Sequence, residues 1–112
     1  MASEFDLTAN VKPVWKLNLI SYELTTPDNK VTELKPRECK LIYLLALKNG
    51  APVNKQFVNV KLLGKHVQKD NRSIDVMLAK LRKKVLGVSK FALPIRTLHG
   101  VGYSLSRQFI IE

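Results

Sequence analysis

The stretch "NRSIDVMLAKLRKKV", residues 71–85, decides how this chain is read. It holds five cationic side chains, Arg72, Lys80, Arg82, Lys83 and Lys84, against a single acid, Asp75. On a helical wheel of about 100° per residue, Leu78, Leu81 and Val85 fall within about 40° of Ile74 and make a narrow core stripe. Arg72, Val76, Ala79 and Lys83 fall within about 40° of the opposite pole, and Lys80 lies about 60° from it. A solvated helix ordinarily mixes Glu among its Lys on such a face, for solubility and i,i+4 pairing. This face holds none.

The rest of the chain tilts the same way. Its 112 residues suit one compact domain, and the net charge is +10. Residues 1–34 carry three Lys/Arg and five Asp/Glu, a net of −2; residues 35–112 carry sixteen against four, a net of +12. So one-sided an excess points to a polyanion, either nucleic acid or an anionic membrane surface. No apolar run approaches the roughly 18 residues of a membrane span. Met1–Asn10 has two acids, no base and no apolar centre, so no signal peptide is read and a cytoplasmic location is expected. Cys39 stands alone inside "CKLIYLLAL", which predicts a buried thiol and excludes an internal disulfide or a multi-cysteine metal site.

Outward from residues 71–85, the pattern sets a small α+β domain. Residues 14–34 alternate as a small antiparallel sheet, Trp15, Leu17 and Leu19 on one face, with Tyr22 and Leu24 sharing a face in the next piece; "TPDN" at 26–29 is the turn before "KVTEL". Met1–Pro13 reads as a lead-in segment. A first helix starts at Pro36, with Glu38 near its N-terminus and Gly50 as its cap. Asn54 is the expected N-cap of a second helix over about 55–63, ended by Gly64. Asp70 or Asn71 caps the third, about 71–86, which Gly87 stops. "PIRTLHGVGYSLS" reads as a hairpin with Gly100 and Gly102 near its tip. Two helices, a basic helix and a glycine-turned hairpin make the order of a winged helix-turn-helix. In that arrangement the third helix suits a DNA major groove and the hairpin a neighbouring minor groove. Val76 and Ala79 suit close approach, as to a thymine methyl group.

"NRSIDVMLAKLRKKV" followed by "IRTLHGVGYSL" resembles the effector domain of OmpR/PhoB-type response regulators, and the resemblance runs back through "ELKPRECKLIYLLALKNGAPVNK" to cover about residues 14–107. It implies an N-terminal sheet of four strands, three helices, a C-terminal hairpin wing at about 94–106, and sequence-specific binding of double-stranded promoter DNA, usually as a homodimer on two half-sites. It also implies a receiver domain normally preceding residues 14–112, the winged-helix DNA-binding domain; the chain is then expected to be either an excised C-terminal domain, the favoured reading, or a stand-alone variant. Position by position, Val76 and Lys80 match places that reach base edges. Arg72, Ser73, Met77 and Arg82 match places at the DNA backbone, to which the outward pole of the helix adds Lys83. Thr97, His99 and Tyr103 match the wing. Lys65, His66 and Lys69 lie in the loop that in some members touches RNA polymerase; their charge makes DNA phosphate an equal candidate.

Three departures from the family pattern matter. His99 stands where a wing arginine is usual, and Lys80 is a point charge where some members have a bidentate Arg. Lys35 replaces the usual threonine cap, so the capping box with Glu38 is expected to be broken. An enzyme is disfavoured: the carboxylates are scattered, His66 and His99 have no metal or nucleophile spacing, and "HGVG" does not lie between a strand and a helix. No cofactor is expected. The alternative is a winged helix that docks an acidic protein partner. RNA binding comes third, because the basic helix lacks an aromatic platform.

Overall fold

The computed structural model describes residues 14–65, 68 and 71–112. The lead-in segment and, in the loop, His66 and Lys69 lie outside the described residues, as does Asp70. Strands β1 (Trp15–Asn18), β2 (Glu23–Thr25) and β3 (Val31–Glu33) come first, then α1 (Pro36–Ala46), β4 (Val53–Asn54), α2 (Lys55–Leu63) and α3 (Ser73–Leu86). Strands β5 (Ile95–Leu98), β6 (Gly102–Leu105) and β7 (Phe109–Ile111) complete the order.

The alternation over 14–34 gives the antiparallel pairs β1–β2 and β2–β3, with Leu17 opposite Leu24 and Leu24 opposite Thr32. Both leucines are fully buried. Tyr22 does not share their face. It lies in the preceding turn at φ 56° and is exposed, so the second strand begins one residue later. The fourth strand of this sheet comes from the other end of the chain. β7 runs parallel to β1, giving the order β3-β2-β1-β7, and Phe109 stacks on Trp15 with ring centroids 5.6 Å apart. The four-stranded sheet is therefore mixed among the described residues rather than wholly N-terminal and antiparallel.

Helix α1 buries Cys39, Leu41, Ile42 and Leu45. Burial also pushes the Cys39 thiol up from its ordinary range. The capping box before it is half kept. Lysine offers no acceptor to the helix, but the Glu38 carboxylate still accepts the Lys35 backbone N–H at 2.7 Å. Glu38 is itself buried, and Lys84 of α3 donates to it at 2.8 Å and to the Glu33 carbonyl at 3.0 Å. The helix ends at Ala46, earlier than Gly50. Asn49 (φ 52°) and Gly50 (φ 94°) form the left-handed turn beyond it.

Asn54 caps α2 as its side chain predicts, accepting from the Gln56 and Phe57 N–H groups at 2.8 and 3.2 Å. It also belongs to β4, which adds a third strand to the hairpin in the order β4-β6-β5. This pairing explains Gly102. A Cβ there would meet the Val53 carbonyl oxygen at 1.8 Å, and φ is 158°. On α3 the core stripe is as the wheel sets it: Ile74, Leu78, Leu81 and Val85 are each at most 1% exposed.

Candidate nucleic-acid interface

Helix α3 stands in the surface with its stripe in the core, so its opposite pole necessarily faces out. Arg72, Ser73, Val76, Ala79, Lys80 and Lys83 are all exposed, Val76 to 51%. Of the two capping candidates, Asn71 acts: its Oδ1 accepts the Ser73 N–H at 2.8 Å. Arg72 occupies the cap position itself, with its side chain free of that task. Met77 is half-buried against the core and offers only part of its surface.

Two concavities flank this face. On one side a trough runs between α1 and α3, lined by Lys35, Pro36, Arg37, Leu63, Val76, Met77 and Lys80. On the other, a groove between the starts of α2 and α3 and the hairpin includes Lys55, Arg72, Arg82, Thr97 and His99. The proposed base-edge residues thus sit on a ridge with cations on both sides. Lys35, Arg37 and Lys55 escaped the sequence reading as members of this face. The basic pair around Pro36 was the available signal for the first two.

Two of the chosen residues have work inside the fold. Tyr103 is fully buried, and its hydroxyl donates to Asp75 Oδ1 at 2.5 Å. It anchors the wing from inside and presents no surface of its own, unlike Thr97 and His99, the two residues with which it was expected near DNA. Asp75 Oδ2 accepts Lys55 Nζ at 2.9 Å. Partial burial works to raise the Asp75 carboxyl, but the Tyr103 hydroxyl and the Lys55 ammonium outweigh it and hold it below the usual carboxylate range. Burial, then the Asp75 hydrogen bond, pushes the Tyr103 phenol above its ordinary range. Arg82 lies on the flank of Asp75 but is not bonded to it. Its Nη2 donates to the Ile95 carbonyl at 2.8 Å and to Thr97 Oγ1 at 3.2 Å, so it braces β5. Lys84, a cation of the same helix that was given no contact role, is likewise spent inside the fold, through its pair with Glu38.

The wing keeps Thr97, His99 and Val101 exposed, with the turn closed by Val101 N–H to Leu98 O at 2.9 Å and Gly100 at φ 75°. Lys65, just after α2, is exposed. Among the described residues no group of His, Cys, Asp and Glu could hold a metal ion, and no helix is long and apolar enough to cross a membrane.

Comparison with known proteins bears on this face. A family model described as "Transcriptional regulatory protein, C terminal" matches residues 29–105. The transcriptional regulatory protein CpxR of Klebsiella pneumoniae is 36% identical over 77 residues, 68% of this chain and 33% of that protein. The chain thus spans about a third of the length of the curated relatives it matches. The crystal structure of the DNA-binding domain of CpxR from E. coli superposes with a TM-score of 0.68 at 28% identity, over 85% of this chain and 92% of that one. The DNA-binding domain of response regulator AdeR, solved in complex with an intercistronic region, superposes with a TM-score of 0.69 over 88% of this chain and 99% of that one; at 16% identity this is a likeness of fold.

Proposed function

This chain belongs to the C-terminal-domain family of transcriptional regulatory proteins, and on that premise we propose that α3 enters the major groove of duplex DNA while the β5–β6 wing lies beside a minor groove. The domain is a DNA-binding domain of the response-regulator type, in the winged helix-turn-helix fold. One observation carries the finer reading. The outward pole of α3 is an acid-free ridge of Arg72, Val76, Lys80 and Lys83, with Lys35 and Arg37 bordering it across the trough. The width of the major groove admits one helix, and such a ridge offers it cations for phosphate and small apolar groups for base methyls.

Within this proposal Val76 and Lys80 meet base edges, and Arg72, Ser73 and Lys83 meet the backbone, with Met77 and Arg82 at its margin. Thr97 and His99 sit on the wing. A homodimer on two promoter half-sites, a receiver domain in a longer protein, and contact of the 64–70 loop with RNA polymerase rest on the family resemblance and belong to the same proposal. The AdeR complex supports the use of this fold on DNA.

The test is duplex binding across a salt series. Four exposed cations left for phosphate, Lys35, Arg37, Arg72 and Lys83, give a slope near −3.6 in log–log form, at about −0.9 per phosphate. Affinity then falls roughly 150-fold between 50 and 200 mM salt. Absence of duplex binding at 50 mM sinks the reading. Capture of an acidic protein partner in its place would favour the trough as a docking surface, since it joins Pro36, Leu63 and Met77 to Lys35 and Arg37.

A further inference from the structure

The hairpin is fastened to α3 at two points. Near the start of the helix, Asp75 accepts the Tyr103 hydroxyl of β6. Seven residues later, Arg82 donates to the backbone and side chain of β5. At a rise of 1.5 Å per residue the two anchors are about 10 Å apart along the axis, and their azimuths differ by only about 20°. Both therefore lie on the one flank of α3 that faces the hairpin. A single tether would leave the hairpin free to pivot; two tethers on one flank fix both its distance and its angle.

The Asp75 anchor is reinforced from a third element. Lys55, the first residue of α2, holds the other carboxylate oxygen, and the Lys55 N–H also donates to Val101 O at 3.2 Å at the wing's turn. Gly102, seated against the Val53 carbonyl, keeps β6 close to that junction. None of this is needed to make α3 helical or to fill the core stripe. Its effect is on the placement of the two parts proposed to touch DNA.

We infer that Asp75 and Tyr103 are positioning residues for sequence discrimination, holding the wing in register with the recognition helix. The inference rests on the DNA-binding reading above. Without the anchor, each element still meets phosphate, but the two no longer fit one duplex segment together. Nonspecific binding persists and the preference for the cognate site falls.

Fragments selected from random duplex DNA supply a cognate site, and a scrambled duplex serves as control, each titrated across salt. Tyr103→Phe removes only the hydroxyl and leaves the ring in the core. It is expected to keep the scrambled-site Kd within about twofold and the salt slope unchanged. Its cognate-to-scrambled ratio is expected to fall roughly tenfold, the discrimination carried by about one mismatched base pair. Asp75→Asn, which keeps an oxygen to accept the hydroxyl, should retain more of the ratio than Asp75→Ala, though both lose the Lys55 ion pair. This second comparison decides the matter if the phenylalanine variant does not fold. A purely structural role would lower melting temperature and leave the ratio alone. If the wild type discriminates and the variants discriminate equally, the positioning role is overturned. If the wild type shows no preference for any duplex, the DNA-reading proposal falls, and the positioning role with it.

Discussion

Lys83 and Lys84 are neighbours in sequence with the same chemistry, yet the structure gives them opposite duties. Lys84 reaches back across the fold to Glu38, whose side chain is only 4% exposed, and to the Glu33 carbonyl. Removing its ammonium leaves a buried carboxylate with the Lys35 N–H as its only remaining hydrogen-bond donor among the described residues. Breaking a fully buried pair costs about 3–5 kcal/mol. Lys84 is itself 35% exposed, so solvent already screens part of the attraction, and about 2–3 kcal/mol is the figure to expect for Lys84→Met, which keeps the aliphatic stem. For a domain near 100 residues that lowers the melting temperature by roughly 10–20 °C. Lys83→Ala removes an exposed side chain, should stay within about 0.5 kcal/mol in stability, and should flatten the salt slope of duplex binding by about 0.9. The assay is thermal unfolding by circular dichroism beside duplex titration at four salt concentrations below the unfolding range. Equal melting temperatures for the two variants, or a flattened slope in the Lys84 variant alone, would refute the division of labour.

Two further outcomes follow from the same geometry. Lys80→Ala should cost roughly 1–3 kcal/mol on the cognate duplex and relax preference at one base pair; an equal loss on every sequence would reduce Lys80 to a phosphate contact. Stability should also depend on pH at both ends. The Asp75 carboxyl is held below 3.8 in the fold, so its contribution is present above about pH 4 and is lost as pH falls through the folded value. The Tyr103 phenol is raised above 10.0, so its contribution is complete below pH 10 and is lost as pH rises beyond it. Each limb is limited to one proton, about 1.4 kcal/mol per pH unit, and denaturant midpoints should show Asp75→Asn flattening the acid limb and Tyr103→Phe the alkaline one. Unchanged limbs in both variants would count against the pairing.

Local pattern made part of the fold legible. The stripe of Ile74, Leu78, Leu81 and Val85 follows from helical period alone, and the cap at Asn54 from one side chain placed before an apolar run. What escaped was non-local or doubly used. β4 has two residues, and Asn54 serves it and α2 together. β7 meets β1 more than ninety residues away in sequence, and nothing in "QFII" alternates. The family pattern marked Tyr103 as a wing residue but could not say which way the ring points. Its burial comes from β6 lying in the middle of a three-stranded sheet against the helices. Arg82 lies only about 20° from Asp75 in azimuth, and azimuth cannot tell a helix-internal brace from the brace to a strand that it makes.

The charge excess also changes meaning once partners are known. Five cations between residues 71 and 85 suggested one basic surface. Lys84 neutralises Glu38, Arg82 is spent on the β5 strand, and Lys55 answers the one acid of α3. Arg72, Lys80 and Lys83 are left on the outer pole with no ion-pair partner among the described residues. The acids of residues 35–85 that the structure describes, Glu38 and Asp75, are thus each taken up by a lysine, Lys84 and Lys55. Acid placement, more than the number of lysines, is what makes the outer pole uniformly positive. That is why the salt slope should follow the four exposed phosphate-facing cations of the ridge and trough rather than the net charge of the chain. A slope well beyond about −3.6 per domain would mean that Lys80, the wing or the loop at Lys65 supplies phosphate contacts of its own.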